Sequence, residues 1–140
     1  MRVLFVCVHN SGRSQMAEAF ARVLSRGRVE PLSAGTLPGG ALNAVVVEAM
    51  RERGVSLDGH EPKVLTQEMA DRADRTYTMG CAIDESCPAV LLAREKWPPE
   101  DWGLDDPAGQ PIEVVRRIRD EVETRVRAML LELGVAVDSD

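Results

Sequence analysis

Val3 to Ser14 reads VLFVCVHNSGRS, and the change of character within it decides the fold. Val3 to Val8 form an apolar, mostly β-branched or aromatic run, the length of a strand buried on both faces of a parallel sheet. At His9 the run stops. His9, Asn10, Ser11 and Gly12 are polar or conformationally permissive, and helical spacing begins at Ser14, so the stretch is a strand, a tight loop and a helix start. Such a junction gathers free backbone N–H groups from the turn and from the first helical turn, and it holds an oxyanion without special side chains. The expected cradle is Val8, His9, Asn10, Ser11, Gly12 and Arg13.

Cys7 and Arg13 bracket the loop with five residues between them, and both are expected to face one pocket. A thiol at the positive end of a helix and beside a guanidinium ionises readily, which supplies the nucleophilic thiolate. Arg13 offers two parallel N–H groups to two oxygens of a tetrahedral anion, a planar fork that Lys lacks. Ser14 can donate its hydroxyl proton to the thiolate. Taken alone, Cys7 fits a buried strand cysteine, because a free Cys packs as a small hydrophobe. Arg13 and Ser14, standing where an anion loop needs them, make it a nucleophile. The loop is neither a GxxxxGK[ST] nucleotide loop nor a GxGxxG dinucleotide fingerprint.

The chain has 140 residues, 44% hydrophobic and 29% charged, ordinary for one globular domain spanning 1–140. Seventeen Lys and Arg against 23 Asp and Glu give a net charge of −6, which argues against a general nucleic-acid or anionic-membrane binder. The anion site must therefore work by its local field. No run approaches the roughly 20 apolar residues of a membrane span, and no signal segment opens the chain. The expectation is a cytoplasmic monomer, whose three cysteines, an odd number, serve as catalytic or redox thiols.

Further along, Met16, Phe20, Val23 and Leu24 place an apolar stripe on the first helix, with Glu18, Arg22 and Ser25 elsewhere and Gly27 as the stop. Val29 to Gly35 reads as a strand that Pro31 assigns to an edge. Leu42 to Met50 keeps helical spacing up to Gly54, and Thr66 caps a short helix from Gln67 to Ala73. His60, in a polar connection, reads as a solvated loop histidine. Arg75 to Met79 is a third strand, followed by Gly80 and Cys81, which puts Cys81 on the same rim as Cys7 if the strands are parallel. Cys81 to Pro88 is a short polar surface segment. A fourth short strand is expected near Lys96 or Trp102. Pro111 opens the last helix, whose stripe is Ile112, Val115, Ile118, Val122, Val126, Met129 and Leu133. Glu113 with Arg117, Glu121 with Arg125 and Glu123 with Arg127 are i, i+4 pairs that a solvated face explains. The whole reads as an α/β fold: three layers, doubly wound, with a four-stranded parallel sheet and helices on both faces.

Cys7, Arg13 and Ser14, with SAG at Ser33 to Gly35 and DP at Asp106 and Pro107, resemble the low-molecular-weight phosphotyrosine phosphatase family nearly end to end. Within it, HNSGRSQMAEAF at His9 to Phe20, TMGC at Thr78 to Cys81, CP at Cys87 and Pro88, and DPAGQ at Asp106 to Gln110 look like the thioredoxin-coupled arsenate reductases. The resemblance implies Cys7 as nucleophile, Arg13 and the loop amides as anion holders, Asp106 as general acid, and Cys81 and Cys87 as resolving thiols. An acidic residue before Pro also commonly opens a turn, so spacing alone leaves Asp106 open. Asp105 is the alternative carboxylate. Arsenate, phosphate or sulfate would occupy the loop, and thioredoxin would return the electrons, with glutathione- or mycothiol-type coupling as alternatives. No cofactor is expected to be permanently bound. Some relatives use a monovalent cation, and Asn10, Glu18 and Ser33 would match part of that site, which leaves potassium as an open expectation. The segment between Cys81 and Cys87 is about a residue shorter than in some relatives.

The chemistry balances independently of the resemblance. Reducing arsenate to arsenite takes two electrons, and one disulfide supplies two. A phosphatase, the competing reading, would release its product with water and leave Cys81 and Cys87 without a task. A zinc site is weaker, because five residues separate Cys81 from Cys87, outside the usual two to four, and no His cluster completes it.

Overall fold

The structure, a computed structural model, describes residues 1–7, 9–36, 39–79, 100–135 and 137. Arg2–Cys7 (β1) runs through the middle of the sheet, and everything from Val3 to Cys7 is buried because both faces are covered. It pairs in parallel with Glu30–Gly35 (β2) on one side and Arg75–Thr78 (β3) on the other. Glu100–Asp101 (β4) pairs in parallel with Tyr77 and Thr78, so the order across the sheet is β2-β1-β3-β4. β2 stands at the edge, where Pro31 has no ladder N–H to supply. The extra pairing expected near Lys96 or Trp102 amounts to two residues just before Trp102, and Lys96 lies outside the described residues.

Among the described residues, four helices flank the sheet: Arg13–Ser25 (α1), Ala44–Glu52 (α2), Gln67–Arg72 (α3) and Ile112–Glu132 (α4). Alternation along β1 sends Val3, Phe5 and Cys7 into a core shared with α1, α2 and α4, and Leu4 and Val6 into a smaller one with Ala34, Ala70 and Ala73. Helices thus cover both faces. Phe5, Tyr77 and Trp102 form an aromatic cluster in the larger core, with centroids 5.1 to 5.9 Å apart. In register, Cys7 lies opposite Gly35 and Val6 opposite Thr78, so the strands' C-terminal ends form one rim at the point where the chain winds outward in both directions. None of the described helices is long and apolar enough to cross a membrane.

The helix faces differ from expectation in places. Val23, assigned to the apolar stripe of α1, is 50% exposed, whereas Glu18 and Ser25, placed elsewhere, are buried. Both meet polar partners, Ser33 for Glu18 and the Val29 N–H for Ser25, which a hydropathy pattern cannot reveal. The pairs on α4 are likewise not all solvated. Arg53 forks onto Glu123, which Arg127 also contacts, while Arg116 and Arg119 reach across to Glu52 on α2. Glu123 and Arg119 are buried at that helix interface. For Glu123, burial works against ionisation, but the hydrogen bonds from Arg53 and Arg127 win and hold its carboxyl below the ordinary value. Arg117 lies 3.4 Å from Asp105 with both side chains exposed, as a solvated face implies.

Candidate active site

Cys7 ends β1 as a buried free thiol, and Arg13 opens α1. The sulfur sits 2.8 Å from Ser14 Oγ and receives the Asn10 backbone N–H at 3.2 Å. Asn10 Nδ2 donates to Ser14 Oγ at 2.7 Å and so holds the hydroxyl beside the sulfur, where its hydrogen is the donor whenever Cys7 is a thiolate. α1 begins at Gly12 with no side-chain cap and no acidic residue in its first turn. Its N-terminal N–H groups and positive dipole end are therefore left for an anion.

Asn10 organises this loop. It is completely buried and has a φ of +52°, a left-handed conformation that Asn tolerates better than most residues. Its Oδ1 accepts from the Lys63 backbone N–H at 2.8 Å and from Gln15 Nε2 at 3.0 Å. Gln15 Nε2 also reaches the carbonyl oxygens of Asn10 and Glu61, so that atom is the amide nitrogen and Oε1 must accept. His60 Nδ1, 2.9 Å from Gln15 Oε1, therefore carries a proton. His60 is not the solvated loop residue expected. Burial pushes its imidazole below the ordinary value, Glu18 pulls the other way, and Arg22 and Lys63 add to the lowering. The contact between Gln15 and His60 carried no sequence signal of its own, because it joins residues 45 positions apart.

Arg13 is buried, with Nη1 donating to the carbonyl oxygens of Met79 (2.7 Å) and Leu104 (2.9 Å). Those bonds fix the guanidinium plane and leave its Nε and Nη2 edge as the fork for an anion. The pocket it lines also includes Cys7, His9, Ser11, Gly12, Asn43, Asp106, Pro107 and Ala108. Asp106 Oδ1 accepts from the Ala108 N–H at 3.0 Å. The turn and the pocket position expected of Asp106 are thus one geometry, whereas Asp105 pairs with Arg117. Pro107 seats this turn on the anion loop so closely that a Cβ on Gly12 would lie 2.9 Å from its Cγ. Asn43, which the sequence reading passed over, joins the pocket from the start of α2. Val8, Cys81 and Cys87 lie outside the described residues.

Residues 2–139 match the low molecular weight phosphotyrosine protein phosphatase family. The chain belongs to that family. A glutaredoxin arsenate reductase of Synechocystis sp. is 34% identical over 134 residues, 95% of this chain and 98% of that one. A thioredoxin-dependent arsenate reductase of Corynebacterium glutamicum is 34% identical with a TM-score of 0.79, over 95% of this chain and 61% of that one. An arginine phosphatase from Geobacillus stearothermophilus is 28% identical with a TM-score of 0.81, over 95% and 92%. The α/β fold of this family is thus shared by reductases and by hydrolases, and the choice between them falls to the residues of the site.

In this family member, the donor set considered for potassium does not fit that ion. Both lone-pair directions of Asn10 Oδ1 meet N–H groups. Glu18 Oε1 accepts from Ser33 Oγ at 2.7 Å and lies 3.7 Å from Lys63 Nζ, and Oε2 lies 3.1 Å from Arg22 and 3.6 Å from His60. Positive side chains already balance the buried carboxylate, and its oxygens face protons rather than a shared coordination point.

Proposed function

We propose that the chain is an arsenate reductase, a single domain over 1–140 acting as a cytoplasmic monomer, which passes oxidation through Cys7, Cys81 and Cys87 to a thioredoxin-type dithiol. Cys7 attacks arsenic while the Arg13 fork and the loop amides hold the oxyanion, and an arsenate oxygen leaves with a proton from Asp106. The sulfur–arsenic adduct still contains As(V). Cys81 thiolate then attacks the Cys7 sulfur, and the sulfur–arsenic bond breaks with its electron pair remaining on arsenic. That step releases arsenite and forms the Cys7–Cys81 disulfide. Cys87 attacks Cys81, returns Cys7 as a thiolate and leaves a Cys81–Cys87 bridge for the reducing partner. No step is assigned to potassium.

The observation that carries the reading is the Cys7 sulfur, held by the Ser14 hydroxyl and the Asn10 amide in a pocket that also contains Arg13 and Asp106. Two thiols that hydrolysis would not use stand downstream in the sequence. Met79, two positions before Cys81, is bonded through its carbonyl to Arg13, so the path to the second thiol starts at the pocket wall. The 34% identical relatives name two different reductants, glutaredoxin and thioredoxin, and both are dithiol proteins able to reduce a surface disulfide.

The test is arsenate-dependent turnover with thioredoxin and its reductase, and separately with glutaredoxin. Cys81→Ser and Cys87→Ser are expected to stop multiple turnover while hydrolysis of an aryl phosphate continues. Full reductase activity in both variants would refute the Cys81 and Cys87 relay, whereas no arsenate turnover in the parent protein would leave phosphatase chemistry as the function.

A further inference from the structure

We propose that Asn43 is a second side-chain donor to the bound tetrahedral oxyanion, complementing Arg13. The inference deepens the proposed reductase reading, and it rests on that reading only for the identity of the anion turned over.

Asn43 does two things at once in this fold. Its backbone N–H donates to the Ser11 carbonyl at 2.9 Å, which ties the start of α2 to the anion loop. Its Oδ1 accepts the N–H groups of Val45 (2.9 Å) and Val46 (3.4 Å) and so caps α2. These two accepted hydrogen bonds fix the amide plane and assign its ends. Oδ1 belongs to α2, and the hydrogen-bonding capacity left on the side chain is the two N–H groups of Nδ2. Among the described residues these have no protein partner, although Asn43 lines the pocket with Cys7, Arg13 and Asp106. A tetrahedral oxyanion with three or four oxygens offers more acceptor sites than one guanidinium edge and the loop amides require. An uncharged amide anchored by its own helix supplies a further donor with little conformational entropy left to lose. The cap thus doubles as a positioning device: the bond that starts α2 also aims the donor.

Asp and Ser cap helices about as well as Asn but lack the amide N–H groups, so they separate the two roles. Binding of inorganic phosphate to the full-length reduced protein, measured by calorimetry, gives a readout independent of turnover. Asn43→Ser is expected to weaken phosphate binding about fivefold and Asn43→Asp about fiftyfold or more, since it adds a like charge, while the thermal midpoint of each stays within about 3 °C of the parent. The KM for arsenate should rise in the same order, with kcat less affected. Phosphate affinity within twofold of the parent in a folded Asn43→Ser protein would overturn the inference. Should Ser lower the midpoint further, Asn43→Asp decides by the same criterion, and unchanged phosphate affinity there is equally fatal. Weakened phosphate binding together with no arsenate turnover in the parent protein would sink the reductase reading and leave the anion contact standing.

Discussion

Replacing Asn10 separates the physical parts of the anion loop. Asn10→Ala removes two hydrogen bonds accepted by Oδ1, from Lys63 N and Gln15 Nε2, and one donated by Nδ2 to Ser14. At roughly 1 kcal/mol each these amount to about 3 kcal/mol, and the site is too buried for water to replace them freely. A Cβ at φ +52° without a compensating side-chain bond adds about 1 kcal/mol. The expected destabilisation is therefore about 4 kcal/mol for Asn10→Ala and about 3 kcal/mol for Asn10→Gly, which escapes the backbone penalty. Urea unfolding of the reduced proteins reads both values, and the gap between them isolates the backbone part. Asn10→Asp keeps the Oδ1 acceptor but puts a buried carboxylate oxygen where Nδ2 donated to Ser14, so it should also destabilise the fold. It should hydrolyse an aryl phosphate at least about tenfold more slowly in single turnover, because the Ser14 hydroxyl then donates to the carboxylate instead of the sulfur. Two outcomes would refute the reasoning: Asn10→Ala within 1 kcal/mol of the parent, or Asn10→Gly less stable than Asn10→Ala.

Two further perturbations follow from single contacts. Gly12→Ala puts a Cβ against Pro107 and displaces the turn that carries Asp106. Its kcat for aryl phosphates with poor leaving groups should fall about tenfold, good leaving groups should suffer less, and Pro107→Ala should restore part of the loss; an equal loss across leaving groups would place the damage in the anion loop itself. Tyr77 gives an alkaline limit. Burial, helped by the charge of Glu100, pushes its hydroxyl from 10.0 up to about 12. Because the folded value is raised, its contribution is complete below pH 10 and lost as pH climbs through 12, a fall of roughly 3 kcal/mol that Tyr77→Phe should abolish in unfolding measured across that window.

What the sequence disclosed and what it withheld divide by distance along the chain. Cys7, Arg13 and Ser14 were legible because strand, loop and helix start occupy twelve consecutive residues, and backbone geometry alone makes them converge. Pro31 gave the edge strand and Thr66 the cap of α3, both local effects. His60, Gln15 and Asn43 were not legible in their roles. His60 meets Gln15 across 45 positions, and Asn43 reaches Ser11 only after β2 has been laid beside β1. The misplacement of Val23 and Glu18 has the same origin. Hydropathy records how a side chain prefers to be solvated, and Glu18 is buried because Ser33, Arg22 and Lys63 are gathered around it by the fold.

The most local signal of function was a missing one. Asn43 caps α2, Thr66 caps α3 with Glu68 in its first turn, and α4 begins with Glu113 in its first turn. Of the four described helices, α1 alone has neither a side-chain cap nor an early carboxylate. Gly12 in place of Asn, Asp or Ser there costs the helix only a few tenths of a kcal/mol. A capping carboxylate, by contrast, would occupy the N–H groups and neutralise the positive end where the substrate's charge must sit. The same position must also stay small for Pro107 to close over it. Two independent demands, an open helix end and a close-seated acid turn, therefore converge on glycine at position 12, and either one violated should be visible in catalysis well before it is visible in stability.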